Sequence, residues 1–159
     1  MINEFACFKP TESTVVPLVE LIAESAWTTE RWDVLSSSLA KLPPDHDPDF
    51  DTGVGKILLM LRADDKEQSS MLLSRLRGNV VRQLSATNIK SLQSCHDIML
   101  RLQILSEMEE VADHTRGAQR RPVSTLVKVL RQRADSLGTF PTQQQKLLSI
   151  QRAILNVTK

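Results

Sequence analysis

The sequence predicts an all-α fold, a helical-repeat α-solenoid of the tetratricopeptide or HEAT kind with about seven helices. Three observations predict it. Apolar residues recur at three- and four-residue intervals along most of the chain. β-branched residues do not alternate with polar ones as they would in half-buried strands. Helix pairs begin near Val15, Phe50 and Ile89, a spacing of about 35 to 39 residues that lies in the range of helical-repeat proteins.

The chain has 159 residues, enough for one domain with a real core. Its net charge of +1 gives no electrostatic reason to bind a polyanion, so nucleic acid is not the expected partner. Cys7 and Cys95 are far apart, and no signal-peptide pattern precedes them, which fits a reduced intracellular compartment. The longest apolar runs, such as Ile57 to Leu61, are far shorter than the roughly 20 residues a membrane helix needs, so a soluble chain is expected.

Residues 1–13 read as an irregular entry segment, because Met1 to Pro10 lacks a period and Pro10 discourages a helix through it. Residues 14–159 read as the repeat region. Val15, Leu18, Val19, Ile22 and Ala26 share one helical face, with Pro17 tolerable in the first turn. Thr28 and Thr29 are expected to stop this helix and cap a second, whose face carries Trp32, Leu35 and Leu39. Leu42 to Asp51 holds three prolines and four aspartates and reads as a solvated acidic linker.

Phe50, Val54, Ile57, Leu58 and Leu61 form the next stripe, and Asp64 to Glu67 offers a cap for its partner, carrying Leu73, Leu76, Val80 and Leu84. Gly78 within that helix costs about 1 kcal/mol relative to alanine and is expected to mark a kink or a close helix contact. From Ile89 to about Ala112 neither Gly nor Pro occurs and apolar residues are dense, including Leu92, Cys95, Met99, Leu102, Leu105 and Met108, giving the longest helix. A polar, basic stretch from His114 to Pro122 precedes a sixth helix marked by Val123, Leu126, Val127, Leu130, Ala134 and Leu137, and Gly138 ends it. Pro141 suits the first turn of a last helix facing Leu147, Ile150, Ile154 and Val157 inward, with no partner helix after it.

No catalytic centre is visible. The chain has no glycine-rich phosphate loop, no Walker loop and no kinase catalytic loop. Asp45, Asp47, Asp49 and Asp51 alternate as in calcium loops, but no register supplies glycine at the sixth and glutamate at the twelfth position. Cys95 and His96 are adjacent and diverge by about 100° on a helix, so they do not share one ion. Three histidines, none beside an activated serine or cysteine, mark no nucleophile. Arg116, Arg120 and Arg121 form a basic cluster whose ordinary state is solvated. Trp27 and Trp32 are read as wedging the first two helices together, against the alternative of an exposed aromatic anchor. No cofactor, metal or membrane is expected.

Glu24-Ser25-Ala26-Trp27 followed by Arg31-Trp32-Asp33-Val34-Leu35 resembles the repeat signature of FAT domains, found in the PIKK family of giant protein kinases. The later order, Lys56-Ile57-Leu58-Leu59, then Arg101-Leu102-Gln103-Ile104-Leu105-Ser106-Glu107-Met108-Glu109, then Gln151-Arg152-Ala153-Ile154-Leu155-Asn156, is most similar to the ATR-type checkpoint kinases. The resemblance runs from about Leu18 to the C-terminus, on motif order more than on any one motif. It implies signature residues Trp27, Trp32, Asp33, Leu35, Arg101, Leu102, Leu105 and Glu107. It also implies a non-catalytic scaffold in a nuclear serine/threonine kinase of DNA-damage signalling. Expected partners are the kinase domain, neighbouring repeats, and dimer or regulatory-subunit contacts. A freestanding helical-repeat adaptor is the alternative, and Thr142-Gln143 leaves phosphorylation of Thr142 open.

Overall fold

The computed structural model describes residues 12–43, 47–86, 92–116, 123–136 and 141–157. These form seven helices: α1 (Glu12–Thr28), α2 (Trp32–Leu39), α3 (Phe50–Arg62), α4 (Lys66–Ala86), α5 (Leu92–Arg116), α6 (Val123–Ser136) and α7 (Pro141–Val157). The described residues are thus all-helical, as the apolar periodicity requires. Cys7, Pro10, Asp45, Ile89, Arg120, Arg121, Leu137 and Gly138, each given a role above, lie outside the described residues.

α1 starts a turn before Val15, which places Pro17 inside the helix, beyond the first turn assigned to it. Its missing N–H removes one ladder bond. The buried face is Val19, Ala23, Ala26 and Trp27, whereas Leu18 is 57% exposed. The stripe is therefore rotated from the expected one, because α2, α3 and α7 all pack on the Ala23–Trp27 side.

Thr28 and Thr29 do not cap α2. Their hydroxyls donate backward to the carbonyls of Glu24 and Ser25 in the last turn of α1, and Ser25 O also accepts from Thr29 N–H at 3.1 Å. Arg31 is the N-cap of α2 and makes no side-chain cap bond. The turn itself is closed by backbone: Arg31 N–H donates to Ala26 O at 2.8 Å and Glu30 N–H to Trp27 O at 3.3 Å, with Glu30 at φ 60°. This is a Schellman closure built without glycine.

The same closure recurs 34 positions later, where Asp64 has φ 58°. Asp65 N–H donates to Met60 O at 2.9 Å, and Asp64 N–H to Leu61 O at 3.2 Å. Because Asp64 occupies the left-handed position, the cap of α4 falls one residue later than the expected Asp64. Asp65 Oδ1 accepts from Gln68 N–H at 3.2 Å, while the Asp64 carboxylate pairs with Lys66 at 3.1 Å. Two successive helix pairs thus end their first helix alike, a structural repeat without copied sequence.

α3 begins on Asp49, whose Oδ1 accepts from Thr52 N–H at 2.9 Å. Gly53 and Gly55 let neighbours close on this helix: a Cβ on Gly53 would lie 2.5 Å from Leu76 Cδ1, and one on Gly55 3.0 Å from Leu35 Cδ1. Gly78 shows no such contact. It lies exposed in an unbroken α4, and an added Cβ would meet nothing within 4 Å. The sequence pointed to the wrong glycine.

α5 packs on α4 and α7 through Leu100, Ile104, Leu105, Met108 and Val111. Met99 faces outward at 56% exposure, and Cys95 is half-buried, since the helix turns a neighbouring stripe to the core. α7 is not unpartnered. It lies against α5 and α6 and reaches back to α3 and α1, burying Leu147, Ile150, Ala153 and Ile154, while Val157 is half-buried. One apolar cluster consequently runs from Ala23 to Ile154, each large side chain in it contributing about 1.5–3 kcal/mol.

Candidate functional site

The arrangement that positions the rest is a set of three junctions between helices distant in sequence. The first joins the two helix pairs. Trp27, 1% exposed, and Leu35, fully buried, meet the bare Cα of Gly55, whose added Cβ would be 3.7 Å from Trp27 Cδ1. Trp32 is only half-buried and carries Arg62 over its ring at 5.6 Å. The two tryptophans therefore differ: Trp27 is the wedge, and Trp32 forms a partly open stack on the flank of α3.

The second junction fastens α7 to α1 and α3. Lys146 Nζ stands 2.9 Å from Glu24 Oε1 and 3.0 Å from Asp51 Oδ1. Burial pushes the Asp51 carboxyl above its ordinary value, against the opposing pull of Lys146. Burial works against the charged form of Lys146, but Asp51 and Glu24 outweigh it and hold the ammonium above its usual value. Six residues on, Arg152 Nε lies 3.0 Å from Glu30 Oε1, Arg152 also donates to Thr28 O at 2.8 Å, and Asn156 Nδ2 donates to Glu30 at 3.0 Å. The left-handed Glu30 that ends α1 is thereby held by α7.

Those contacts correct the reading of the acidic linker. Asp47 pairs with Arg75 at 2.8 Å, Asp49 caps α3, and Asp51 sits half-buried against Lys146. These three aspartates are shared out among separate partners.

The third junction is polar and enclosed. Glu107 of α5 is fully buried; Gln151 Nε2 of α7 donates to its Oε2 at 3.0 Å and to Leu130 O of α6 at 3.1 Å, and Gln103 Nε2 donates to its Oε1 at 3.2 Å. Burial pushes the Glu107 carboxyl up, while those amides and Arg133 pull the other way. One amide thus joins three helices.

Of the remaining signature residues, Leu105 is fully buried, Leu102 packs half-buried on the core, and Asp33 is exposed. Arg101 lies 5.2 Å over the Phe50 ring and bonds Gln83 Oε1 at 3.3 Å. Thr142 is exposed in the first turn of α7, and its neighbour Gln143 reaches Asp97 Oδ1 at 3.3 Å. The residues that sequence reasoning missed are Gly53, Gly55 and Lys146, while Asp51 was read only as part of the acidic linker. A small residue at i and i+2 inside an apolar helical stripe was the available signal for the glycines; for Lys146 there was none.

Among the described residues no three His, Cys, Asp or Glu side chains cluster to hold a metal ion. No described helix is long and apolar enough to cross a membrane. The arrangement bonds helices to one another. A family model described as the FAT domain matches residues 19–159. Neither a curated protein nor a solved structure matches the chain.

Proposed function

The chain belongs to the FAT-domain family, and from that premise we propose that it is a scaffold segment of an ATR-type serine/threonine kinase acting in DNA-damage checkpoint signalling in the nucleus. FAT domains are non-catalytic helical parts of PIKK kinases, so this chain is the support and not the site of phosphoryl transfer. The observation carrying the ATR-type assignment is motif order: Trp27, Trp32-Asp33-Val34-Leu35, Lys56 to Leu59, Arg101 to Glu109, and Gln151 to Asn156 follow one another as in those kinases.

The geometry supports a scaffold role because the charged groups at its helix junctions are spent on internal bonds. Lys146 bridges Glu24 and Asp51, and Glu107 accepts from two amides. Such a unit transmits position to the kinase domain and neighbouring repeats, which are the proposed partners, together with dimer or regulatory-subunit contacts.

The test is to read the coding sequence downstream of this segment and to recover the encoded protein from nuclei. In-frame kinase motifs and co-purification with a DNA-damage-activated kinase activity support the proposal. A closed reading frame without them assigns the chain to the adaptor class instead.

A further inference from the structure

We infer that the cleft between α3 and α4 docks an amphipathic helix edged with carboxylates, supplied by a partner protein, and that Gly78 marks where the partner passes closest. The cleft has a volume of about 570 Å³, against about 370 Å³ for one between α5 and α6, and is lined by Pro48, Lys56 and Met60 on one wall and Gln68, Met71, Leu72 and Arg75 on the other. The α4 positions stand at i, i+3, i+4 and i+7, a second stripe beside the buried Ser69, Leu73, Leu76 and Val80. α4 therefore has one face for its own core and a second, mixed face on which Met71 stands exposed beside Gln68 and Arg75, while Leu72 packs partly on the core.

Met71 is 69% exposed, more than any other large apolar side chain described. Methionines such as Met60 and Met71 adapt their shape to an incoming helix. Gly78 is seven residues beyond Met71, within about 20° of the same direction on the helix. No packing inside the described chain requires its bare Cα, since a side chain there would meet nothing within 4 Å. A helical glycine that costs stability and serves no internal contact suits a close approach from outside.

Charge selects the occupant. Lys56 borders one wall, and Arg75 stands at the other with Asp47 at 2.8 Å, both members of that pair more than half exposed. A solvent-exposed pair of this kind is weak and exchanges readily for a partner's carboxylate. The mode is a helix laid in a groove, anchored at i, i+3, i+4 and i+7. It uses a face that the contacts with α1, α5 and α7 leave free, and so it stands apart from the checkpoint assignment.

The experiment titrates the full chain with two labelled synthetic helical peptides sharing one leucine stripe, one flanked by glutamates and the other by lysines, read by fluorescence anisotropy. The glutamate peptide is expected to bind at least about tenfold tighter, with the gap narrowing as salt is raised. Met71→Glu and Gly78→Leu, both at exposed positions, are each expected to weaken it about tenfold, and Lys56→Glu with Arg75→Glu to reverse the preference. Circular dichroism melts establish that each variant is folded. Equal binding of the two peptides, or affinity unmoved by Met71→Glu and Gly78→Leu, overturns the inference. So does sedimentation showing self-association that Met71→Glu abolishes, because the face would then pair two copies of this chain. None of these results bears on the downstream coding sequence, so the two proposals fail separately.

Discussion

Gln151 Nε2 stands 3.0 Å from Glu107 Oε2 and also reaches Leu130 O, so a single amide group closes the contact of α5, α6 and α7. Removing it leaves a buried carboxyl and a buried carbonyl short of a donor. Gln151→Leu is expected to cost about 1–3 kcal/mol, visible as a lower urea midpoint at unchanged m-value. A midpoint equal to that of the parent would show that water replaces the amide at no cost.

Glu107 also sets a direction of pH dependence. Its folded carboxyl is raised above the ordinary 4.5, chiefly by burial, so in the window just above that value the folded chain holds more protons than the unfolded one. Its contribution is therefore most favourable below the unfolded value and is lost as pH rises through the folded one. Relative to Glu107→Gln, the parent should gain stability on acidification from neutral pH toward about 5. Urea midpoints of both proteins across that range check it, and a constant difference would show that the carboxyl is not titrating.

Lys146 supplies the counter-charge for Asp51 and Glu24. Lys146→Met is expected to destabilise by about 1–3 kcal/mol, since Asp51 is left half-buried without a cation. Adding Asp51→Asn should return part of that loss. Thermal melts of the two single variants and the double variant form the cycle, and strict additivity would deny the coupling.

The two kinds of glycine predict opposite outcomes. Gly78→Ala should stabilise the chain by about 0.5–1 kcal/mol through helix propensity alone. Gly53→Val should destabilise it by about 1–3 kcal/mol, because its side chain must displace Leu76, which is only 2% exposed. Calorimetric midpoints of the two variants moving in the same direction would contradict the packing described.

The tryptophans divide likewise. Trp27→Ala removes a side chain 1% exposed and should cost about 3–5 kcal/mol. Trp32→Ala, at a half-buried position under Arg62, should cost much less. Intrinsic fluorescence of the two variants should assign the blue-shifted emission to Trp27.

What could be read in advance followed from local physics. Leu73, Leu76 and Val80 repeat at helical spacing, Pro141 opens a helix, and Phe50 starts a stripe, each decided within a few neighbouring residues. The caps were displaced because Glu30 and Asp64 occupy left-handed positions that residue type does not announce. Leu18 was placed on the packed face because periodicity finds a stripe without saying which of two adjacent stripes the next helix covers. Lys146, Asp51 and Glu24 lie on three helices, and their meeting depends on where α7 crosses, which no local pattern contains. The same holds for Glu107, whose amide partner on α7 is 44 residues away.

The return of α7 to α1 also changes how such a chain must assemble. In an open array of repeats, structure nucleates anywhere and spreads between neighbours, and one end can unravel while the other persists. Here Lys146 meets Glu24 across 122 residues, Arg152 meets Thr28 across 124, and Asn156 meets Glu30 across 126. Those bonds form only after a long loop has closed, an entropic toll that raises contact order and slows the final step of folding. Once closed, α1 and α7 hold each other, so neither helix peels away without breaking its bonds to the other.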